Sequence, residues 1–524
     1  MSVSKIKKVV TIIVSAAVLL GGILLPTGSA EAAMAKGDLN NDGVINMADV
    51  ILLAKAFNSV IGEPKYISSY DLNNDSAINM TDVIFIASKF NSIVSPTVIG
   101  NPTPTPTMAV PTNTINRPWD WDGIIGTGQS LSVGTNPIST KTQPYNNLML
   151  SLGTSNKAQP FNPNDQQLKM VPLIEPLRAL QTGYPAPYPG NLWGETPHST
   201  MANQITSMVK STGGTDYITA HTVVGESGQG MVALKKGAVE SGNIGRAYAA
   251  SMFEVQAINR LAKVVGKTYG VGAVTLIHGE TDCGNTNYKN EIYKLWSDYN
   301  QDIKAITGQT QNVTMFVVQQ HGYPKEVGST SVGTLAQWKV GVDYPGNIVC
   351  IGPNYQRPYI TDGTHLPVNG YQQVGEKFAQ VYYEKVVLGK DWKPLQPTSA
   401  AMSGKVITVD FHVPMGPLVW DTTLPAPNQS VTEWKNGKGF EVTASGTKVT
   451  ISSVEISGNS VKITCASDLP ASGVKVSYAY TAVRTARSNG TIRWGLLRDS
   501  DPFKGDVTKV AQPNFCVAFE MDVR

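Results

Sequence analysis

Ile124-Ile125-Gly126-Thr127-Gly128-Gln129-Ser130-Leu131-Ser132 reads as a short strand running into a glycine-rich turn that presents a serine. A serine there sits at the carboxyl edge of a sheet and near a helix N-terminus, a suitable place for a nucleophile. The stretch departs from the G-x-S-x-G elbow, because Ser132 stands where the last glycine would be. Taken alone it reads as an ordinary strand–helix turn, and a phosphate-cradling loop is weakly supported by G-x-G without the remaining pattern.

Further apolar runs bounded by turns predict strands at Tyr217–Val224, Val271–Ile277, Val313–Val318 and Ile348–Ile351. Apolar residues recur at helical spacing between and after them: Met252, Val255, Ile258, Leu261 and Val264; Ile292, Leu295, Tyr299 and Ile303; Tyr371, Val374, Phe378 and Val381. Strands alternating with helices over residues 119–391 predict an α/β domain built on a parallel sheet covered on both faces. Ligands of such sheets bind beyond the carboxyl ends of the strands. Residues 392–524 change character. Val406–Phe411, Val449–Ile451, Val461–Thr464 and Val474–Tyr478 alternate apolar and polar between Gly, Pro, Ser and Asn turns, the pattern of an all-β sandwich. No chemical motif marks this region, which reads as a brace for the α/β domain before a carbohydrate binder.

Three other segments carry chemistry. Asp362-Gly363-Thr364-His365 precedes the Tyr371 helix. A serine is a poor nucleophile until a base takes its proton, and a histidine base works best with a carboxylate behind its ring. Two intervening residues in a turn let Asp362 reach the His365 imidazole, although an isolated D-x-x-H is more often a polar capping turn. His278-Gly279-Glu280-Thr281-Asp282 follows the Val271–Ile277 strand, and Gly225-Glu226-Ser227-Gly228 follows the Tyr217–Val224 strand. Either could donate to an oxyanion; by themselves, a satisfied histidine with a salt-bridging Glu and a plain Gly-rich turn account for them.

Together the four segments resemble, in order, the blocks of the SGNH (GDSL-like) hydrolases over about residues 120–390. The closer likeness is to the branch with a Gly-Gln-Ser nucleophile block, that of sialate O-acetylesterase-like proteins and carbohydrate esterase family 6 acetylxylan esterases. The resemblance implies a flavodoxin-like parallel sheet, Ser130 as nucleophile, His365 as base and acid, and Asp362 as its orienting partner. It also implies an oxyanion hole that includes the N–H groups of Ser130 and Gly225. The family places Gln or Asn where His278 stands, so a ring N–H of His278 is the expected donor there, and Glu280 is expected to be structural.

Toward the N-terminus, Asp38-Leu-Asn40-Asn-Asp42-Gly43-Val44-Ile-Asn46-Met-Ala-Asp49 recurs 33 residues later as Asp71-Leu-Asn73-Asn-Asp75-Ser76-Ala77-Ile-Asn79-Met-Thr-Asp82. Oxygen-bearing side chains at positions 1, 3, 5, 9 and 12, with a backbone carbonyl from Val44 or Ala77 at position 7, follow the EF-hand spacing for a hard divalent cation. Position 6 favours glycine, met by Gly43 and not by Ser76. Each loop feeds an apolar helix. The pair resembles the type I dockerin of cellulosomal enzymes over residues 36–94. That implies a small all-α module holding two Ca²⁺ and a cohesin on a scaffold protein as partner. Positions 10 and 11, which face the cohesin in that family, are Met47-Ala48 and Met80-Thr81 in place of the usual Ser/Thr.

Residues 1–32 read as a secretory signal: Lys5, Lys7 and Lys8, an apolar run from Val9 to Leu25, then Ala30-Glu31-Ala32. Pro and Thr alternate over Asn101–Thr107 within a linker at 95–118. The expectation is a soluble, secreted, cellulosome-associated protein. A charge balance of 42 Lys+Arg against 39 Asp+Glu argues against nucleic acid as partner. The six histidines stand at least 23 positions apart, which speaks against HExxH-type zinc catalysis. The four cysteines form no CxxC pair and leave one or two disulfides open. The leading expectation is a serine esterase that removes O-acetyl groups from plant polysaccharide, most readily acetylxylan. The alternatives are Ser227 as nucleophile, a glycoside hydrolase drawing on Glu226, Glu280 and Asp282, and a non-catalytic carbohydrate-binding cellulosome component.

Overall fold

A computed structural model describes residues 36–39, 45, 47–89, 115–135, 137–152, 160–177, 194–214, 216–238, 246–322, 330–424, 436–482 and 493–524. The expected signal segment, most of the linker, and Asn40, Asp42, Val44 and Asn46 of the first loop lie outside these residues. The chain divides into two compact units, 1–110 and 111–524. Among the described residues no helix is long and apolar enough to cross a membrane.

In the first unit, helices α1 (Met47–Ala56) and α2 (Met80–Ser88) pack through Val50, Leu53, Val83 and Ile86 around Leu72 and Ile78. Helix α2 starts on a capping box: the Asn79 side chain accepts from Thr81 N, and Asp82 reaches back to Asn79 N. The module departs from the all-α expectation by a two-residue antiparallel ribbon, β1 (Ser59–Val60) with β2 (Ala77–Ile78). Ser76 adopts φ 70°, the left-handed region in which a side chain is strained and glycine is not. The missing glycine at position 6 therefore has a direct backbone consequence.

The second unit is built on a seven-stranded sheet. Its strands are β3 (Trp121–Gly128), β4 (Leu148–Ser151), β5 (Lys169–Pro172), β6 (Thr219–Gly225), β7 (Tyr269–Ile277), β8 (Thr314–Gln319) and β9 (Ile348–Pro353), in the order β5-β4-β6-β3-β7-β8-β9. All neighbouring pairs are parallel except β4–β5. The sheet is therefore mixed, not wholly parallel as expected. The antiparallel return at the edge needs no crossover helix, and its two four-residue strands carry no long apolar run. The five strands β6-β3-β7-β8-β9 follow the order 2-1-3-4-5, which places the switch point between β3 and β7.

Successive side chains of a strand face opposite ways, and both faces are apolar. Ile125, Val224, Val274 and Met315 pack against α6 (Arg246–Val264), α7 (Tyr288–Thr307) and α8 (Val332–Asp343). Ile124, Ala273, Phe316 and Val349 pack against α4 (Pro197–Ser211) and α9 (Val368–Tyr382). The short helices α3 (Ser130–Val133) and α5 (Met231–Leu234) follow β3 and β6.

Beyond α9 the chain turns to β structure. Strands β10 (Gln396–Ser403), β11 (Val406–His412), β15 (Ile451–Ser457) and β16 (Ser460–Cys465) form one antiparallel sheet; β13 (Phe440–Ala444), β14 (Thr447–Val449), β17 (Val474–Tyr478) and β19 (Phe519–Asp522) form a second. A small ribbon pairs β12 (Val419–Trp420) with β18 (Leu497–Arg498). Ile407, Val409, Val461 and Ile463 of the first sheet share one core with Phe440, Val476, Tyr478 and Phe519 of the second. That core continues into Trp338, Cys350 and Tyr355 of the α/β region. All four cysteines are buried free thiols, so neither of the disulfides left open by the sequence is present.

Candidate active site

Strand β3 ends at Gly128, opposite Gly225 of β6 and Ile277 of β7. Glycine is required there: φ is 137°, and a Cβ would lie 2.0 Å from the Ile277 carbonyl oxygen. Gln129 N donates to that carbonyl at 3.1 Å. Ser130 then opens α3, and the Ser132 N–H and hydroxyl both return to the Gln129 carbonyl. The buried Gln129 side chain ties the turn to the next strand end, accepting from Gly279 N at 3.3 Å and Thr281 N at 3.4 Å. Gly225 backs onto the same turn; a Cβ on it would lie 2.2 Å from Ser132 Oγ.

The loop between β9 and α9 brings Asp362 and His365 to this turn. Asp362 Oδ1 accepts from Thr364 N (2.8 Å) and His365 N (2.9 Å), closing a tight turn on the residues between it and the imidazole. Asp362 Oδ2 meets His365 Nδ1 at 2.5 Å, and His365 Nε2 meets Ser130 Oγ at 2.7 Å. An ionised carboxylate only accepts, so the proton belongs on Nδ1, which leaves Nε2 to accept the Ser130 hydroxyl proton. Partial burial works to raise the Asp362 pKa, but the hydrogen bonds from Thr364 N and from the ring and N–H of His365 outweigh it and hold the carboxyl below its usual range. Ser130 and His365, 235 residues apart in sequence, can pass a proton from an alcohol to an imidazole with the Asp362 carboxylate behind it.

His278 stands apart from this set. Its ring is buried; Nδ1 meets the Tyr288 hydroxyl at 2.7 Å and Nε2 meets the Gln229 carbonyl oxygen at 3.0 Å. A carbonyl accepts only, so Nε2 carries the proton and Nδ1 accepts from Tyr288. In this arrangement both ring nitrogens of His278 are engaged and no N–H is left over for an oxyanion. Asp282 caps α5 through Met231 N at 2.7 Å, which gives it a local structural task. Among the described residues no hydrogen bond joins Ser227 to an imidazole. Glu280 is different: both carboxylate oxygens are inaccessible and without a hydrogen-bond partner. Burial pushes this carboxyl up to about 7, against the pull of its own backbone N–H and the charges of His365 and Arg493.

The second repeat loop of the N-terminal unit is drawn together by Asp71, Asn73, Asp75, Asn79 and Asp82. Asp71 accepts from Asp75 N and Ser76 N, and the fully buried Asp82 accepts from Leu72 N and Asn79 N. Asn73 and Asn79 both reach Asp75. Ala77 supplies backbone at position 7. The donor set is oxygen throughout, which suits a hard cation. Among the described residues no group of three or more His, Cys, Asp or Glu stands in metal-holding geometry. Of the first loop's six predicted ligands only Asp38 and Asp49 are described; Asp49 Oδ1 accepts from Leu39 N at 2.7 Å, the counterpart of Asp82 with Leu72.

Residues 36–91 match the family model of the dockerin type I domain. No curated protein matches the chain. Among solved structures, a carbohydrate acetylesterase from Xanthomonas citri is 12% identical, over 76% of this chain and 80% of its own, with a TM-score of 0.45. A carbohydrate acetylesterase from Sinorhizobium meliloti is 12% identical over 50% of this chain and 97% of its own, with a TM-score of 0.27. A type II cohesin–dockerin domain from Bacteroides cellolosolvens is 49% identical over 12% of this chain and 92% of its own, with a TM-score of 0.10.

Proposed function

We propose that the chain is a secreted, cellulosome-borne carbohydrate esterase that removes O-acetyl groups from plant polysaccharide, acetylxylan first among them, by acyl transfer through Ser130. The observation that carries the reading is the continuous hydrogen-bonded series Ser130 Oγ–His365 Nε2, His365 Nδ1–Asp362 Oδ2 at the carboxyl end of β3. The dockerin match supports the cellulosomal setting. The sugar-ester substrate rests on the resemblance of the four sequence blocks to SGNH esterases.

In the first half-reaction Ser130 Oγ attacks the acetyl carbonyl while Nε2 of His365 takes its proton. The imidazolium is stabilised by Asp362, already ionised and aligned. The negative charge on the tetrahedral oxygen is met by the N–H groups of Ser130 and Gly225. Collapse breaks the bond to the sugar oxygen, which leaves as an alcohol with the proton from His365. In the second half-reaction His365 takes a proton from water, whose oxygen attacks the acetyl-serine carbonyl; acetate leaves and Ser130 regains its proton.

The N-terminal module docks a cohesin, with calcium held by Asp38, Asn40, Asp42, Val44, Asn46 and Asp49 in one loop and Asp71, Asn73, Asp75, Ala77, Asn79 and Asp82 in the other. When bound, calcium would offset the negative charge that these carboxylates bring together.

The test is acetate release from acetylated xylan, pectin and mannan in parallel, with p-nitrophenyl acetate as a simple ester. Ser130→Ala and His365→Ala are expected to abolish release while the thermal unfolding midpoint stays in place. Full activity in both variants would reject the triad, and reducing sugar released from unacetylated glycan would favour a glycosidase.

A further inference from the structure

We infer that the C-terminal β region is part of the catalytic unit, with Arg493 serving as a positioning residue for the buried groups beside His365. The inference rests on Ser130 and His365 being the reacting pair.

The two regions are tied together at the end of β8. The Gln319 side-chain amide pairs with the backbone of Ala518 in both directions, at 2.7 Å each, as a neighbouring strand would. Gln320 sends its Nε2 to Ser331 Oγ (3.1 Å) and Thr334 Oγ1 (2.6 Å). Arg493, only 1% exposed, reaches the same Thr334 hydroxyl with Nη2 at 3.3 Å. Its Nη1 is held by the Ala479 and Tyr480 carbonyls of the β region. A guanidinium thus crosses from the β region to the floor of the α/β region.

Unsatisfied polar atoms gather at that floor. Glu280 Oε1 and Oε2, Gln320 Oε1 and both ring nitrogens of the buried His321 have no hydrogen-bond partner. They lie together: a Cβ built on Gly322 would sit 2.7 Å from Glu280 Cγ, 3.5 Å from Gln320 Oε1 and 3.6 Å from Glu280 Oε1. Buried polar groups left unpaired are costly, and a buried carboxylate calls for a nearby cation. Arg493 reaches this cluster through the Thr334 hydroxyl that it shares with Gln320 Nε2, and its positive charge acts on both Glu280 and His321. The His321 ring stacks on Tyr359 with centroids 3.8 Å apart. Tyr359 belongs to the loop that carries the triad acid and base, where Ile360 N donates to the His365 carbonyl at 2.9 Å. The β region also holds the ends of that loop. Tyr355 donates its hydroxyl to the Cys516 carbonyl, Arg357 donates to Gln512 Oε1, and Glu376 of α9 accepts from Val507 N and Thr508 N.

The experiment uses the full chain with Arg493→Gln, Arg493→Lys and Thr334→Val, measuring kcat and KM on p-nitrophenyl acetate, and thermal unfolding. Arg493→Gln is expected to lower kcat about 10-fold or more with KM within about two-fold, because positioning of reacting groups is felt after substrate binds. Arg493→Lys keeps the charge and is expected to recover most of that loss. Should Arg493→Gln fail to fold, Thr334→Val and Arg493→Lys decide the matter. Thr334→Val is expected to cost about 3-fold or more in kcat through the shared hydroxyl. Wild-type kcat in every variant that folds overturns the inference, as does a loss that tracks unfolding alone and is not recovered by lysine. Activity persisting in Ser130→Ala would instead sink the triad, which keeps the two failures apart.

Discussion

Replacing Asp362 by Asn separates the two tasks its carboxylate performs. Oδ1 holds the turn through Thr364 N and His365 N, and Oδ2 faces the His365 ring. Asn keeps an acceptor for the turn but offers an amide N–H to Nδ1, which favours the imidazole tautomer with its proton on Nε2. That tautomer cannot take the Ser130 proton. In a sequestered triad the same exchange costs about 10⁴ in kcat. Here the Asp362 and His365 side chains are 44% and 33% exposed, so water screens the pair and lets the ring re-equilibrate. The expected loss is therefore about 10²–10³ in kcat, or about 3–4 kcal/mol of barrier. Asp362→Ala loses the tautomer control and also the two turn hydrogen bonds, each worth about 1 kcal/mol. It is expected to fall below the Asn variant and to show a looser loop by hydrogen exchange at Thr364 and His365. The assay is steady-state release of p-nitrophenol, with active-site titration by an organophosphate to count competent serines. An Asn variant that keeps more than about a tenth of wild-type kcat would refute the role assigned to the carboxylate.

Two further predictions concern stability and docking. Asp122 is buried with Tyr217 and Gly272 N as its partners, and burial pushes its pKa from 3.8 up to about 6. Its contribution is fully present below pH 3.8 and is lost as pH rises through 6, a change of about 3 kcal/mol. Asp122→Asn is expected to remove that slope, read as denaturant melts at pH 4 and pH 7; an unchanged slope would show that another group sets it. Chelation with EDTA is expected to abolish cohesin binding and to loosen α2, because three aspartates of the second loop would be left to repel one another; binding that persists in EDTA counts against calcium-dependent docking.

Much of the central sheet was legible because its inner strands are apolar on both sides: Val271–Ile277 has no competing period, and β7 is buried throughout. The amphipathic helices α6, α7 and α9 announce themselves by spacing. Helix α4 does not. His198, Ser199, Asn203, Gln204 and Thr206 are buried along with Met201 and Ile205, so no apolar stripe contrasts with a polar face. At the site, Asp-x-x-His and Gly-Gln-Ser are local patterns, and local geometry can be argued from spacing. The engagement of His278 by Tyr288 and Gln229 is tertiary, as is the tie from Gln129 to Gly279. Arg493 stands in an unremarkable Thr-Ile-Arg-Trp-Gly stretch. Only the packing of two regions against each other brings it to Thr334, and no motif encodes that meeting.

The four buried thiols bear on how this chain can be made. Cys283, Cys350, Cys465 and Cys516 are all buried, and none is joined to another. With no disulfide to form, the fold does not depend on oxidative folding, and production in a reducing bacterial cytoplasm is expected to leave its covalent structure unchanged.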